Sequence, residues 1–161
     1  MAFKTHWPEA WPDLEAAFEE VKELVKPEHI CRAAMHGEVL LGVVGGLPEY
    51  DGHVWELHPL AVHPEYQRQG VGRALVRDFE AQVKARGGLT IILGSDDEDE
   101  MTTLAGVELY PDPWAHIAQI RNLKNHPFEF YQKLGYVISG IVPDANGRGK
   151  PDILMSKRVN A

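Results

Sequence analysis

The sequence predicts an α/β (α+β) domain in which a central mixed, mostly antiparallel sheet is flanked by helices. Three observations predict it. Short apolar runs of strand length alternate with helical stretches along the chain. Val71, Leu75, Phe79 and Val83 recur every four residues and make one buried stripe. Glycine pairs and turn residues then separate the runs at loop-length intervals. With 161 residues the chain has the size of one ordinary domain, read as residues 1–161. Such a domain buries roughly 68–70% of its unfolded surface, so it needs no disulfide or metal staple.

The elements follow in order. Pro12 and Asp13 open a helix through LEAAFEEVKELV, where Leu14, Phe18, Val21 and Val25 stand near helical spacing and Pro27 follows the end. ICRAAMH and VLLGVVGGL, joined at Gly37 and Glu38, read as a β-hairpin. HVWELHPLAV is a third strand-like run, and the striped helix comes after its polar break. Gly87 and Gly88 stop that helix, and LTIILG is a short buried strand. WAHIAQIRNL looks helical, and HPFEFYQKLG makes another helix that ends at Gly135. YVISGIV and DILMSKRV close the chain as two strands around the loop PDANGRGKP.

Composition narrows the function. Hydrophobic residues at 44% and charged residues at 25% describe a globular protein, not a disordered one. Sixteen Lys and Arg against 24 Asp and Glu give a net charge of −8, which argues against a nucleic-acid binder. The single cysteine, Cys31, excludes an internal disulfide framework and fits a reducing compartment. No signal core or membrane-length apolar run is present, so a cytoplasmic protein without a membrane partner is expected. Asp96, Asp97, Glu98, Asp99 and Glu100 are consecutive. Such a run is either a solvated acidic loop or a receptor for a polycationic ligand. His53, His58 and His63 match no HExxH or Cys-His spacing, and proline follows two of them, so no metal is expected.

QRQGVG, Gln67 to Gly72, lies between a strand and the striped helix. Its two glycines let the backbone turn tightly and approach a ligand. The helix behind it offers unpaired N–H groups and the positive end of its dipole to a pyrophosphate. Arg68 and Arg73 add charge. Neither GxGxxG nor GKS/GKT occurs, which sets aside the dinucleotide and Walker loops. On its own the segment is equally a glycine-containing helix start that binds nothing.

Gln-x-x-Gly-x-Gly after a strand resembles the coenzyme A pyrophosphate loop of the GNAT superfamily of N-acetyltransferases, and FYQKLGY resembles that superfamily's C-terminal helix. WELHPLAV, LGSDDEDEMTTL, NLKNHPFEFYQKLGY and PDANGRGKPDI narrow the resemblance to bacterial aminoglycoside 6'-N-acetyltransferases, over about residues 6–158. The resemblance implies a sheet splayed at the acetyl-CoA site and a homodimer. It also implies a first strand and helix that are absent or shortened here, because Met1 lies only a few residues before Trp7. The other readings are acetyl transfer to a different cationic amine and a catalytically silent acyl-CoA sensor.

The chemistry follows from residue types. Pro59 cannot donate a ladder hydrogen bond and favours a bulge or a splayed edge, leaving backbone groups at Leu60, Ala61 and Val62 for an extended pantetheine arm. The resemblance implies that the N–H near Leu60 holds the thioester carbonyl as charge develops on it. Glu56 is the expected general base, directly or through water, unless it merely pairs with a nearby Lys or Arg. His58 either relays a proton or only hydrogen-bonds. Tyr131 is placed by the resemblance near the coenzyme sulfur, as acid for the leaving thiolate, although at helical spacing with Phe128 and Leu134 it also reads as core. Asn122 or Asn125 is expected at the pantetheine amides. Trp7, Tyr50 and Trp55 are the expected stacking faces for a polycationic amine, and Glu56, Asp96, Asp97 and Asp152 its acceptors.

Overall fold

The computed structural model describes residues 14–160. Its elements are α1 (Leu14–Leu24), β1 (Ile30–His36), β2 (Val39–Glu49), β3 (Val54–Val62), α2 (Val71–Ala85), β4 (Thr90–Asp96), α3 (Pro113–Ile117), α4 (Phe128–Lys133), β5 (Val137–Val142) and β6 (Asp152–Arg158). The strands form a six-stranded mixed sheet in the order β1-β2-β3-β4-β6-β5. The ladders β1–β2, β2–β3 and β5–β6 are antiparallel. Two compact units divide the chain, Met1–Ile91 with Val159–Ala161 and Ile92–Arg158.

In the first unit the expected hairpin forms, and Gly37 takes φ +59 at its turn. Three of the four stripe positions on α2 are buried, Leu75, Phe79 and Val83, with Val76 beside them, while Val71 in the first turn is half-buried. It lies against the face of β2 that carries Gly42, Val44 and Gly46. A Cβ on Gly46 would stand 2.1 Å from the Phe79 ring, so the missing side chain is what lets helix and strand meet. The helix ends as its glycines require. Gly87 sits at φ +80 and the Gly88 N–H donates back to Val83 at 3.0 Å. On α1 the described side chains differ from the expected stripe. Val21 and Val25 face solvent, whereas Leu24 is buried and packs toward Gly45.

In the second unit, α4 ends at Gly135 (φ +92), with the Tyr136 N–H donating to the Tyr131 carbonyl at 3.1 Å. The Lys157 ammonium donates to the last-turn carbonyl of Leu134 at 2.7 Å. The helix expected over WAHIAQIRNL is only Pro113–Ile117. Asp112 caps it, accepting from the Ala115 N–H at 3.1 Å. Beyond it, residue 103 claims the backbone: Arg121 N–H donates to Thr103 Oγ1 at 3.0 Å, and Thr103 N–H donates to the Arg121 carbonyl at 3.1 Å. An isolated bridge then pairs Thr102 with Asn122. Turn bonds still hold 118–120, and tertiary partners outbid helical ones at Arg121 and Asn122.

Gly46→Ala is expected to destabilise the protein by about 1–3 kcal/mol, because the Phe79 ring it meets is fully buried. Adding Phe79→Leu should recover part of the loss in chemical unfolding. An unchanged midpoint for Gly46→Ala would overturn the close packing of β2 on α2.

Candidate active site

Pro59 produces the bulge expected of it. On the tip side of β3 Gly46 faces Leu57, and on the other side Val44 faces Leu60, so Gly45 alone opposes His58 and Pro59. The extra residue shifts the alternation of side chains by one. Leu57 and Leu60 therefore share the α2 face of the ladder, while Glu56, paired with Leu47, points to the other face. Glu56 is half-buried, and its carboxylate has no ion-pair or hydrogen-bond partner among the described residues. His58 stands exposed at the bulge. Leu60, Ala61 and Val62 are half-buried beyond it.

The QRQGVG loop follows β3 through a 3-10 turn at Pro64–Tyr66, whose Glu65 N–H donates to His63 Nδ1 at 3.3 Å. Gln67 Nε2 donates to the Val62 carbonyl at 3.2 Å and Gln69 Nε2 to the Glu65 carbonyl at 2.7 Å, so both amides brace the loop. Arg68 (φ +58) and Gly70 (φ +92) are left-handed, and Gly70 is the N-cap of α2. A Cβ on Gly70 would meet no atom within 4 Å, which leaves open space before the helix. The N–H groups of Val71, Gly72 and Arg73 belong to the first turn, where no helical carbonyl is available to them. Arg68 and Arg73 are exposed beside this turn. The same unit holds Tyr50, 75% exposed at the β2–β3 tip, where Tyr50, Asp51 and Gly52 are all left-handed.

Trp55 is a correction. Its ring is 4% exposed, fills the space over Gly88, donates to the Gly52 carbonyl at 3.2 Å and lies under the Arg86 guanidinium. A ring so enclosed is core and offers no stacking face. Trp7 lies outside the described residues.

The second unit holds the remaining expected residues. Tyr131 is 8% exposed, edge-on to Phe130 and Tyr136, and its burial pushes the phenol up to about 12. Asp97 is another correction. It is completely buried, and its oxygens accept from the Met101 N–H at 2.6 Å, the Thr102 N–H at 2.9 Å and the Thr102 hydroxyl at 2.7 Å. This carboxylate folds the acidic loop and is enclosed away from any acceptor amine. Asn122 is likewise taken, since its Oδ1 and Nδ2 both bond the backbone of His126. Asn125 is exposed at φ +60. The Asp96 carboxylate accepts from Asn146 and is exposed. Asp152 is half-buried over Gly94, where a Cβ would strike its Oδ2. Sequence reasoning passed over His126 and Thr102, both buried polar side chains. Their signals were local, a His-Pro ahead of an aromatic helix and a Thr five residues after an Asp.

Among the described residues no group of three or more His, Cys, Asp or Glu is disposed to hold a metal, and no helix is long and apolar enough to cross a membrane.

The sequence model of the Acetyltransferase (GNAT) family matches residues 2–110. An aminoglycoside 6'-N-acetyltransferase crystallised with coenzyme A is 43% identical, with a TM-score of 0.92, over 98% of this chain and 89% of that one. The aminoglycoside 6'-N-acetyltransferase of Enterococcus faecium is 45% identical, also at TM-score 0.92, over 98% of this chain and 87% of that one. An acetyltransferase of Photorhabdus laumondii is 34% identical over 76 residues, 47% of this chain and 51% of its own. The match thus spans about half the length of that curated relative.

The Tyr131 phenol gives the alkaline limb of stability a definite sign. Its pKa is higher when folded, from 10.0 to about 12, so the stabilisation is complete below about pH 10 and is lost as pH rises toward 12. Two units correspond to about 3 kcal/mol. Urea unfolding between pH 9 and 12 should show this decline, and Tyr131→Phe should flatten it. Equal slopes for both proteins would refute the assignment.

Proposed function

The chain belongs to the GNAT acetyltransferase family, and from that premise we propose that it transfers the acetyl group of acetyl-CoA to the 6'-amine of aminoglycosides. The observation that carries the reading is the uncompensated, half-buried carboxylate of Glu56 beside the Pro59 bulge. A carboxylate with no cationic partner among the described residues is suited to receive an ammonium and then its proton. The relatives' activity and the −8 charge support a polycationic acceptor.

In this reading the first-turn N–H groups of α2, with Arg68 and Arg73, hold the pyrophosphate, and the open space at Gly70 admits it. Backbone groups of Leu60, Ala61 and Val62 line the pantetheine arm, and the Leu60 N–H stabilises the oxyanion as the amine attacks. Glu56 takes the amine proton, with His58 beside it at the bulge. The carbon–sulfur bond then breaks. Tyr131 donates to the departing sulfur. Because burial holds the phenol near 12, against about 8.5 for a thiol, it acts through a hydrogen bond to the thiolate and keeps its proton. Tyr50, Asp96 and Asp152 are the acceptor contacts. The reading extends to a cytoplasmic homodimer that inactivates antibiotics, and the exposed Val137 and Val142 of edge strand β5 suit a partner.

Gly70→Val should abolish measurable acetyl-CoA binding in calorimetry, since the side chain stands in the approach to the helix start; at φ +92 it also strains the loop, so circular dichroism is read alongside to show that the protein stays folded. Undiminished affinity would remove the pyrophosphate from this loop.

Glu56→Gln should lower kcat about 10²–10⁴-fold with acetyl-CoA affinity nearly unchanged, read by thiol release with a 6'-amino aminoglycoside. A loss under about fivefold would reduce Glu56 to a structural carboxylate. Turnover confined to polyamines or peptide amines in the same assay would move the acceptor to another class, and no thiol release at all would leave a sensor.

A further inference from the structure

One buried residue between β4 and α4 has every polar group matched. His126 is 1% exposed. Its Nδ1 lies 3.2 Å from the Phe128 N–H and its Nε2 lies 3.0 Å from the carbonyl oxygen of Asp96. An N–H only donates and a carbonyl only accepts, so the ring is neutral with its proton on Nε2. Asn122 completes the arrangement. Its Oδ1 accepts from the His126 N–H at 2.7 Å, and its Nδ2 donates to the His126 carbonyl at 3.0 Å.

What this assembly holds is the first turn of α4. That helix has six residues, too few to stand by propensity alone. Pro127 at its N-cap supplies no capping side chain. The His126 ring does the capping from one residue further back, accepting from Phe128 and tying the turn to the last residue of β4. Tyr131 stands three residues after Phe128, one turn along the same short helix.

We propose that His126, oriented by Asn122, is a positioning residue that sets where the Tyr131 phenol stands. The proposal rests on the reading of Tyr131 as donor to the leaving sulfur. Losing the tie to Asp96 displaces the phenol without removing it, and a misplacement of about 1 Å costs up to about a hundredfold in turnover.

The test is a double-mutant cycle on the full chain with acetyl-CoA and a 6'-amino aminoglycoside. His126→Asn keeps an acceptor near the position of Nδ1 and loses the donor to Asp96. Its kcat should fall about tenfold to a hundredfold with both KM values within about twofold. His126→Gln can still donate to the Asp96 carbonyl and should recover most of the rate. If His126→Asn does not fold, Asn122→Ser, which loosens the backbone of His126, carries the cycle in its place. In a Tyr131→Phe background the same His126 substitution should change kcat by less than about twofold, because the group it positions is gone. Equal losses in both backgrounds would overturn the proposal and leave the role of Tyr131 intact. An undiminished rate for Tyr131→Phe alone would overturn the role of Tyr131 and this proposal with it.

Discussion

The arrangement of the first unit depends on one mismatch, Gly45 alone against His58 and Pro59. Proline leaves the ladder without a donor, and the pairing recovers by placing two residues opposite one. Gly45 accepts that geometry because it has no side chain. A Cβ there would meet the His58 carbonyl and Leu24 at 2.5 Å each. Without the extra residue, Glu56 and Leu60 would share a face by strict alternation. With it, Leu60 joins the packed face of Leu57, while Glu56 stays on the other side, with no cation beside it among the described residues. The parting of Leu60 from Glu56 and the distorted stretch of backbone thus have a single cause.

Backbone-driven features were legible in the sequence and partner-driven features were not. The stripe on α2, the turn at Gly37, the stop at Gly87 and Gly88 and the bulge at Pro59 each follow from the conformational limits of one or two residues. The short α3 does not, because a threonine eighteen residues before Arg121 took the bonds that a longer helix needed. Trp55 and Asp97 were read by chemical type, an aromatic for stacking and an acid for cations. Type does not reveal burial, and both turned out to be enclosed. Asn122 was read by type too, and its amide, four residues before His126, is engaged by that residue's backbone.

The acidic run shows how charge is divided between folding and recognition. Asp97 turns inward and organises Met101 and Thr102, while its neighbours remain at the surface. Asp96 does both: its backbone carbonyl serves His126 and its carboxylate serves Asn146. A cluster that composition presents as five equal charges is structurally three different things.

The tip between β2 and β3 carries a consequence for how the chain varies. Tyr50 and Asp51 sit at φ +48 and +56, a region that costs a residue with a side chain roughly 1–2 kcal/mol. The rungs beneath, Glu49 with Val54 and Pro48 with Trp55, hold the chain in a bend that its own residues resist. Among neutral drifts, replacement of Asp51 by glycine is therefore the downhill direction, and the persistence of a carboxylate there across descendants would mark selection acting on the side chain against the grain of the backbone.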